Sequence, residues 1–313
     1  MKLVRIEKIS LSCPLGHVYP ILDDIPVLLV EEIIPTQKEV FDLTRLRSLA
    51  SRNTPHEGHV GCSAMGEKIV DLYVQDVVSA TCGIMYSSLI GKLNEYPIPS
   101  VPLPGKRGQR LLDIGCNWGR WCMSAARAGY LPIGIDPNID AIMAARRVAK
   151  HVNICASYLV ADARNLPFCE DSFDVVFSYS VLQHFDKRDV IRSLSEISRT
   201  LKTSAFCMIQ MPNIFGMRNL YHQIQRGFRK PELFDVRYWY PSTLIRVFNI
   251  AIGKASLFVD GFFSLNPDIV CSKMLPVRYR VMLMFSHALR IASTWITWLT
   301  YLADSVYVRA RKK

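Results

Sequence analysis

Residues 110–121 read RLLDIGCNWGRW. An apolar strand runs into Asp113, and Gly115 and Gly119 bracket a short turn before GRWCMSAARAG, whose spacing predicts a helix ended by glycine. Glycines there permit a tight turn at a strand's carboxyl end and let a ligand approach the N–H groups of the helix start. Outward from this turn the texture alternates. LPIGID reads as a strand, IDAIMAARRVAKH as a helix, SYLVAD and FDVVFSYS as strands. DVIRSLSEISRTLK is an amphipathic helix with Val190, Ile191, Leu194, Ile197 and Leu201 on one face, and SAFCMIQMP is a further strand. PSTLIRVFNIAIG predicts a helix, and KASLFVDGFFSL a strand that pairs as a hairpin with SVYVRARKK (305–313) across an apolar helix from Val277 to Ala303. Such alternation, with strands that are continuous apolar runs, predicts an α/β fold: a mostly parallel seven-stranded sheet with helices on both faces.

At 313 residues the chain is a main domain with an appendage. Residues 1–40 alternate short apolar runs with turn residues and predict a small β appendage. Residues 41–105 are a linker, with a polar stretch at Arg45–Ser63, and a helical segment over Met65–Leu93 that ends at Pro97, Pro99, Pro102 and Pro104. The main domain occupies 106–313, with 266–303 as a helical insertion. Nine cysteines lie scattered without a repeating pair, and charges interrupt the N-terminus, so the expected compartment is the cytoplasm. No apolar run is long enough to span a bilayer.

The net charge of +11 has a location. Residues 1–200 hold 22 Lys+Arg against 22 Asp+Glu, whereas the remaining 113 hold 16 against 5, together with 18 of the 32 aromatic residues. An anionic partner is implied for that third: lipid, a phosphate-bearing substrate or nucleic acid.

The second strand of the domain ends in GIDPN, placing Asp136 23 residues after Asp113, where an acid can accept both hydroxyls of a ribose. The third ends in ADARNLPF with Asp162. Three acids at three successive strand ends face one crevice, and together they read as a nucleotide site. The glycine pattern is not G-x-G-x-x-G, and Trp118 is bulky where a pyrophosphate needs close approach, so a nicotinamide site is disfavoured.

On these residues, roughly Arg110 to Asn213, the chain resembles the class I S-adenosylmethionine-dependent methyltransferases, in their small-molecule "type 11"-like branch, a Rossmann-like fold. The resemblance implies S-adenosylmethionine as cofactor. It implies that the loop of Asp113, Gly115, Cys116, Asn117 and Gly119 cradles the methionine part, that Asp136 with Pro137 binds ribose, that Asp162 with Ala163 binds adenine, and that Ser178 joins them from the fourth strand. Thr203 and Ser204 stand where that family usually has paired glycines. FDVVFSYSVLQHF resembles the small-molecule branch, and lacks both the Asn/Asp-Pro-Pro-aromatic loop of base N-methylation and the Pro-Cys of cytosine C5 enzymes; nucleic acid is therefore a disfavoured partner. His184, at the mouth of the site, is the candidate catalytic residue as a general base, or else a helix-start histidine bonded to backbone.

SCPLGHVYPILDDIPVLLVEE resembles the second half of the small zinc-ribbon-like activators that bind some methyltransferases. Cys13 and His17 alone fall short of four metal ligands, and His56, His59 and Cys62 lie in a polar linker, so no metal is expected. An insertion after the fifth strand commonly lids the acceptor pocket in this family, a role that the resemblance gives to 213–240. Trp295, Trp298 and Tyr301 recur every three residues near the basic end RARKK, which suits either peripheral membrane contact or a packed core. The function expected is methyl transfer to a small or lipid-linked acceptor, a glycan precursor or an isoprenoid aromatic. The rivals are an RNA-modifying methyltransferase and a non-catalytic cofactor-binding scaffold.

Overall fold

A computed structural model describes residues 4–7, 10–13, 17–30, 70–105, 107–265 and 270–313. The polar stretch with His56, His59 and Cys62, the start of the 65–93 segment, and residues 266–269 lie outside them. Its strands are β1 (Val4–Glu7), β2 (Ser10–Ser12), β3 (Val18–Leu22), β4 (Ile25–Pro26), β5 (Arg110–Ile114), β6 (Leu131–Asp136), β7 (Ser157–Val160), β8 (Phe173–Ser178), β9 (Leu201–Pro212), β10 (Ala255–Gly261) and β11 (Ser305–Arg311). Its α-helices are α1 (Leu72–Cys82), α2 (Arg120–Arg127), α3 (Ile139–His151), α4 (Lys187–Thr200), α5 (Met217–Gln225), α6 (Pro241–Ala251) and α7 (Val277–Ala292).

Seven strands form one sheet in the order β10-β11-β9-β8-β5-β6-β7. All are parallel except β11, which pairs antiparallel with β9 and β10 on its two sides. The carboxyl ends of the parallel strands and the amino end of β11 therefore share one edge of the sheet, and ligands of such sheets bind there. Alternation sorts neighbouring residues to opposite faces. Leu112, Val176 and Ile209 pack with α4 and α6, while Leu111, Val175 and Phe177 pack on Trp121 and Ala125 of α2. Emptying the fully buried Phe173 would cost about 3–5 kcal/mol.

Local signals start the helices, and the one predicted from Asp189 to Lys202 begins two residues earlier, at Lys187, and ends at Thr200. Asn138 caps α3 by accepting from the N–H groups of Asp140 and Ala141, and Asp186 caps α4 by accepting from Asp189. On α4 Val190, Leu194 and Ile197 are buried, but Ile191 is exposed and Leu201 already belongs to β9. Ser204 adopts φ 63, the strained choice that paired glycines would ease, yet β9 continues through it with a register shift against β8.

The predicted apolar helix Val277–Ala303 is two elements. α7 stops at Ala292, and a separate 3₁₀ turn spans Thr297–Tyr301. The break has a cause: the hydroxyls of Ser293 and Thr294 bond back to the carbonyls of Arg290 and Ile291, competing with helix continuation. The 65–93 segment divides likewise. Gly83, at φ 105, separates α1 from a 3₁₀ turn over Ile84–Leu89.

Strands β1–β4 form a small antiparallel sheet of their own. It is docked rather than dangling: Val27 bridges Val160 in parallel, and the Leu28 N–H bonds the Val160 carbonyl at 2.8 Å. The Cys13 thiol lies 3.3 Å from Nδ1 of His17, and no group of three metal-ligating side chains occurs among the described residues.

Candidate active site

A cavity of about 500 Å³ opens along the shared strand edge. Ile114 to Trp118 from the β5 turn, Ile135 to Asn138 from the β6 end, and Ala161 to Ala163 beyond β7 form one end of it. Gly115 and Gly119 carry positive φ, 71 and 80, which glycine adopts without penalty. Space forbids a side chain at both. A Cβ on Gly115 would lie 2.2 Å from Val181 Cγ2, and one on Gly119 would lie 2.6 Å from the Tyr158 hydroxyl.

Asp136 sits half-buried with one oxygen accepting the Asn117 N–H at 3.0 Å and the other accepting the Asn138 N–H at 2.9 Å. Backbone thus aims its carboxylate, and lone pairs remain for two further donors. Burial raises its pKa to about 6. Pro137, Cys116 and Asn117 share the wall, and burial pushes the Cys116 thiol up to about 11, so it is no nucleophile.

Three expected contacts take other forms. Asp113 is buried behind the loop, off the cavity wall: Oδ2 accepts the Cys122 thiol at 3.3 Å, Oδ1 has no partner, and burial raises its pKa to about 7. Ser178 is likewise off the wall. Its hydroxyl donates to the Ile114 carbonyl at 3.0 Å and pins β8 to β5. Asp162 lines the cavity but is paired. Both its oxygens accept from the Arg164 guanidinium at 2.9 Å, and Arg164 also reaches Asp189. Asp162 therefore offers only its remaining lone pairs to a ligand.

Trp118 is fully buried, its indole N–H donating to Thr81 on α1 at 3.0 Å. This bond ties the glycine loop to α1, so Ala80 to Gly83 close over the cavity.

The other end is built from residues far apart in sequence. Tyr179 and Ser180 follow β8, Gln210 lies near the end of β9, Asp260 is next to last in β10 and Ser305 starts β11. Asp260, buried, accepts from the Tyr179 hydroxyl at 2.9 Å and the Ser305 hydroxyl at 2.7 Å. Gln210 donates to Ser305 at 2.6 Å and accepts both the N–H and the hydroxyl of Ser180. Burial raises the Asp260 pKa. Sequence reading missed Asp260, yet the signal was present: an acid at a strand's carboxyl end, in VDG, the same cue that marked Asp136.

Arg120 was missed as well. It is 7% exposed and lines the cavity, where its guanidinium lies over the rings of Trp121 and Tyr179 at 5.0 and 5.5 Å. No hydrogen bond or ion pair engages it among the described residues. A buried cation so placed can pair with an anion that enters the cavity.

Segment 213–240 lies over the mouth, contributing Asn219, His222, Phe234, Val236 and Tyr238. His184 stacks on Phe234, ring centroids 3.7 Å apart, and its Nδ1 lies 2.7 Å from the Phe234 carbonyl. A carbonyl only accepts, so Nδ1 carries the proton, and Nε2 accepts from Gln183 at 3.1 Å. Burial lowers its pKa to about 4. His184 is thus neutral and weakly basic, and it joins the loop after β8 to segment 213–240.

Residues 111–204 match a family described as "Methyltransferase domain". A ubiquinone biosynthesis O-methyltransferase of Agrobacterium fabrum is 28% identical over 140 residues, 40% of this chain and 56% of that protein. One from Brucella ovis is 31% identical over 149 residues, 43% of this chain and 60% of its own length. The alignments thus span little more than half of these curated relatives. Among solved structures, a complex between the Haloferax volcanii Trm112 methyltransferase activator and a putative methyltransferase covers 76% of this chain and 93% of that one, at 16% identity and TM-score 0.48.

Proposed function

We propose that this chain, whose residues 111–204 match a methyltransferase-domain family, is an S-adenosylmethionine-dependent methyltransferase that O-methylates an isoprenoid aromatic acceptor at a cytoplasmic membrane face. The observation that carries it is the cavity's division. One end offers a backbone-aimed carboxylate and an unpaired buried guanidinium, and the other offers a buried carboxylate within a hydroxyl network.

S-adenosylmethionine fits the first end. Asp136 would accept the ribose hydroxyls beside Pro137, Gly115 and Gly119 would leave room for the ligand, and Asp162 with Ala163 would face the adenine. In strand order β7, β6, β5, β8, a ligand with its nucleoside at Asp162 and Asp136 would extend its amino-acid tail towards Arg120, whose guanidinium would take the carboxylate. Asp113 and Ser178 support the loop and strand behind this site. When bound, the cofactor supplies a methyl group already activated on a sulfonium.

At the second end Asp260 is the candidate base. Burial that raises its pKa makes it the stronger proton acceptor, and Ser305 and Tyr179 fix its direction. His184 positions Phe234 over the mouth and helps keep water out. Because the methyl donor needs little covalent help, holding the reacting atoms in line in a dry pocket does most of the work.

The acceptor class leans on the relatives, which are named ubiquinone biosynthesis O-methyltransferases; they favour an isoprenoid aromatic over a glycan precursor. Incubation with methyl-labelled cofactor and separated lipid, RNA and soluble metabolite fractions tests this. Label is expected in the lipid fraction, and label confined to RNA overturns the reading.

A further inference from the structure

Helix α5 is folded inside out. Its two buried side chains are polar, Asn219 and Gln223, while Met217, Leu220, Tyr221 and Ile224 are exposed. The inversion is held by hydrogen bonds. Asn219 donates to the carbonyls of Asn213 and Asp304, Gln223 donates to Ile214, and one oxygen of Asp304 accepts the N–H groups of Arg218 and Asn219 at the helix start. A water-facing helix ordinarily has the opposite arrangement.

Two neighbours extend this apolar face. α7 buries only Leu283 and Ser286 among its sixteen residues and exposes Val281, Met284, Phe285 and Ile291. Trp295 and Trp298 follow at 85% and 60% exposure, so the packed-core alternative for them is ruled out. The three pieces adjoin: Arg218 of α5 donates to the Phe263 carbonyl, Phe263 stacks on Phe285 of α7, and Asn213 before α5 bonds the Tyr301 carbonyl of the 3₁₀ turn. No helix among the described residues is long and apolar enough to cross a membrane.

We infer that α5, α7 and the turn after it form a docking surface for an anionic lipid bilayer. Charge selects this occupant over a second copy of the chain. Arg278 and Arg280 are exposed on α7 with no acidic partner among the described residues, and the basic excess of the whole chain lies in this third. Two such faces would repel one another, whereas a leaflet of acidic lipids attracts each. Exposed tryptophans on a surface that also carries exposed arginines suit the headgroup boundary, with the apolar side chains entering the acyl edge. The surface also rims the cavity, because α5 turns Asn219 and His222 inward and Leu220 and Ile224 outward. An acceptor with its tail in the bilayer would meet the cavity sideways, past the lid. That last step rests on the proposed acceptor; the docking does not.

The protein should co-float with phosphatidylcholine vesicles containing phosphatidylglycerol, and far less with phosphatidylcholine alone or at high salt. Its other three tryptophans, Trp118, Trp121 and Trp239, are buried, so a blue shift of emission on binding reports Trp295 and Trp298. Trp295→Ser with Trp298→Ser should weaken binding roughly tenfold and remove the shift. Arg278→Gln with Arg280→Gln should weaken it and flatten the salt dependence. Melting temperatures near that of the parent show that both variants fold. Unbound parent protein, equal binding by all variants, or sedimentation as a dimer that the tryptophan variant dissociates would each overturn the inference. Methylation of a short-chain, water-soluble catechol by the non-binding variants separates failure of this surface from failure of the proposed chemistry.

Discussion

The two ends of the cavity are built by different means. At the cofactor end, backbone does the positioning: glycines at positive φ turn the chain, and N–H groups of Asn117 and Asn138 aim Asp136. All its residues but Arg120 and the α1 cover fall within a few positions of three consecutive strand ends. At the acceptor end, side chains position one another, with Gln210, Asp260 and Ser305 drawn from β9, β10 and β11. An end built from backbone should fail when one residue is lost, and an end built from a network should lose rate before it loses binding.

The largest effect expected is at Asp136. Asp136→Ala removes a carboxylate with two charge-assisted hydrogen bonds to offer, and affinity for S-adenosylmethionine should fall roughly a thousandfold by calorimetry. Unchanged affinity would end the ribose assignment and with it the contrast between the ends. Asp260→Asn preserves shape, so cofactor affinity should hold while turnover drops roughly a hundredfold. Equal losses in both would mean that the ends are not separable.

A pH titration sharpens the contrast further. Asp136, raised to about 6 by burial, must be ionised to accept the ribose hydroxyls at full strength. Cofactor affinity should therefore be constant above that value and weaken by up to about tenfold per unit below it. His184 should matter least. Its folded pKa lies below its unfolded one, so the neutral ring contributes stability that is complete above about pH 6.5 and lost as pH falls towards 4. His184→Asn should change turnover at neutral pH by less than about threefold. A tenfold loss, with a pH–rate profile that loses its acid limb, would restore histidine as the base.

The same contrast explains what could be read in advance. Gly115, Gly119, Asp136 and Asp162 are local signals: a turn needs glycine, and a strand end beside a crevice favours an acid, so spacing alone reveals them. The strand and helix alternation was equally legible because the sheet is covered on both faces. Asp113 and Ser178 look like ligand contacts by position, and only the packing of β5 against α2 and β8 turns them inward. His184 looks like a base by type, and only Phe234, 50 residues on, fixes its tautomer. Nothing local in Met217 to Gln225 announces an inverted helix, since its apolar stripe has ordinary helical spacing. Direction is set by Asp304 and Asn213, outside the helix.

The bridge from Val27 to Val160 bears on a hazard of another kind. An open sheet ends in rows of unpaired N–H and C=O groups, templates on which a second molecule can add a strand. β7 is such an edge, and among the described residues Val27 and Leu28 occupy it. The N-terminal unit thereby acts as a stopper on one margin of the sheet, and a chain trimmed of it would be expected to stick to its own kind before it lost its shape.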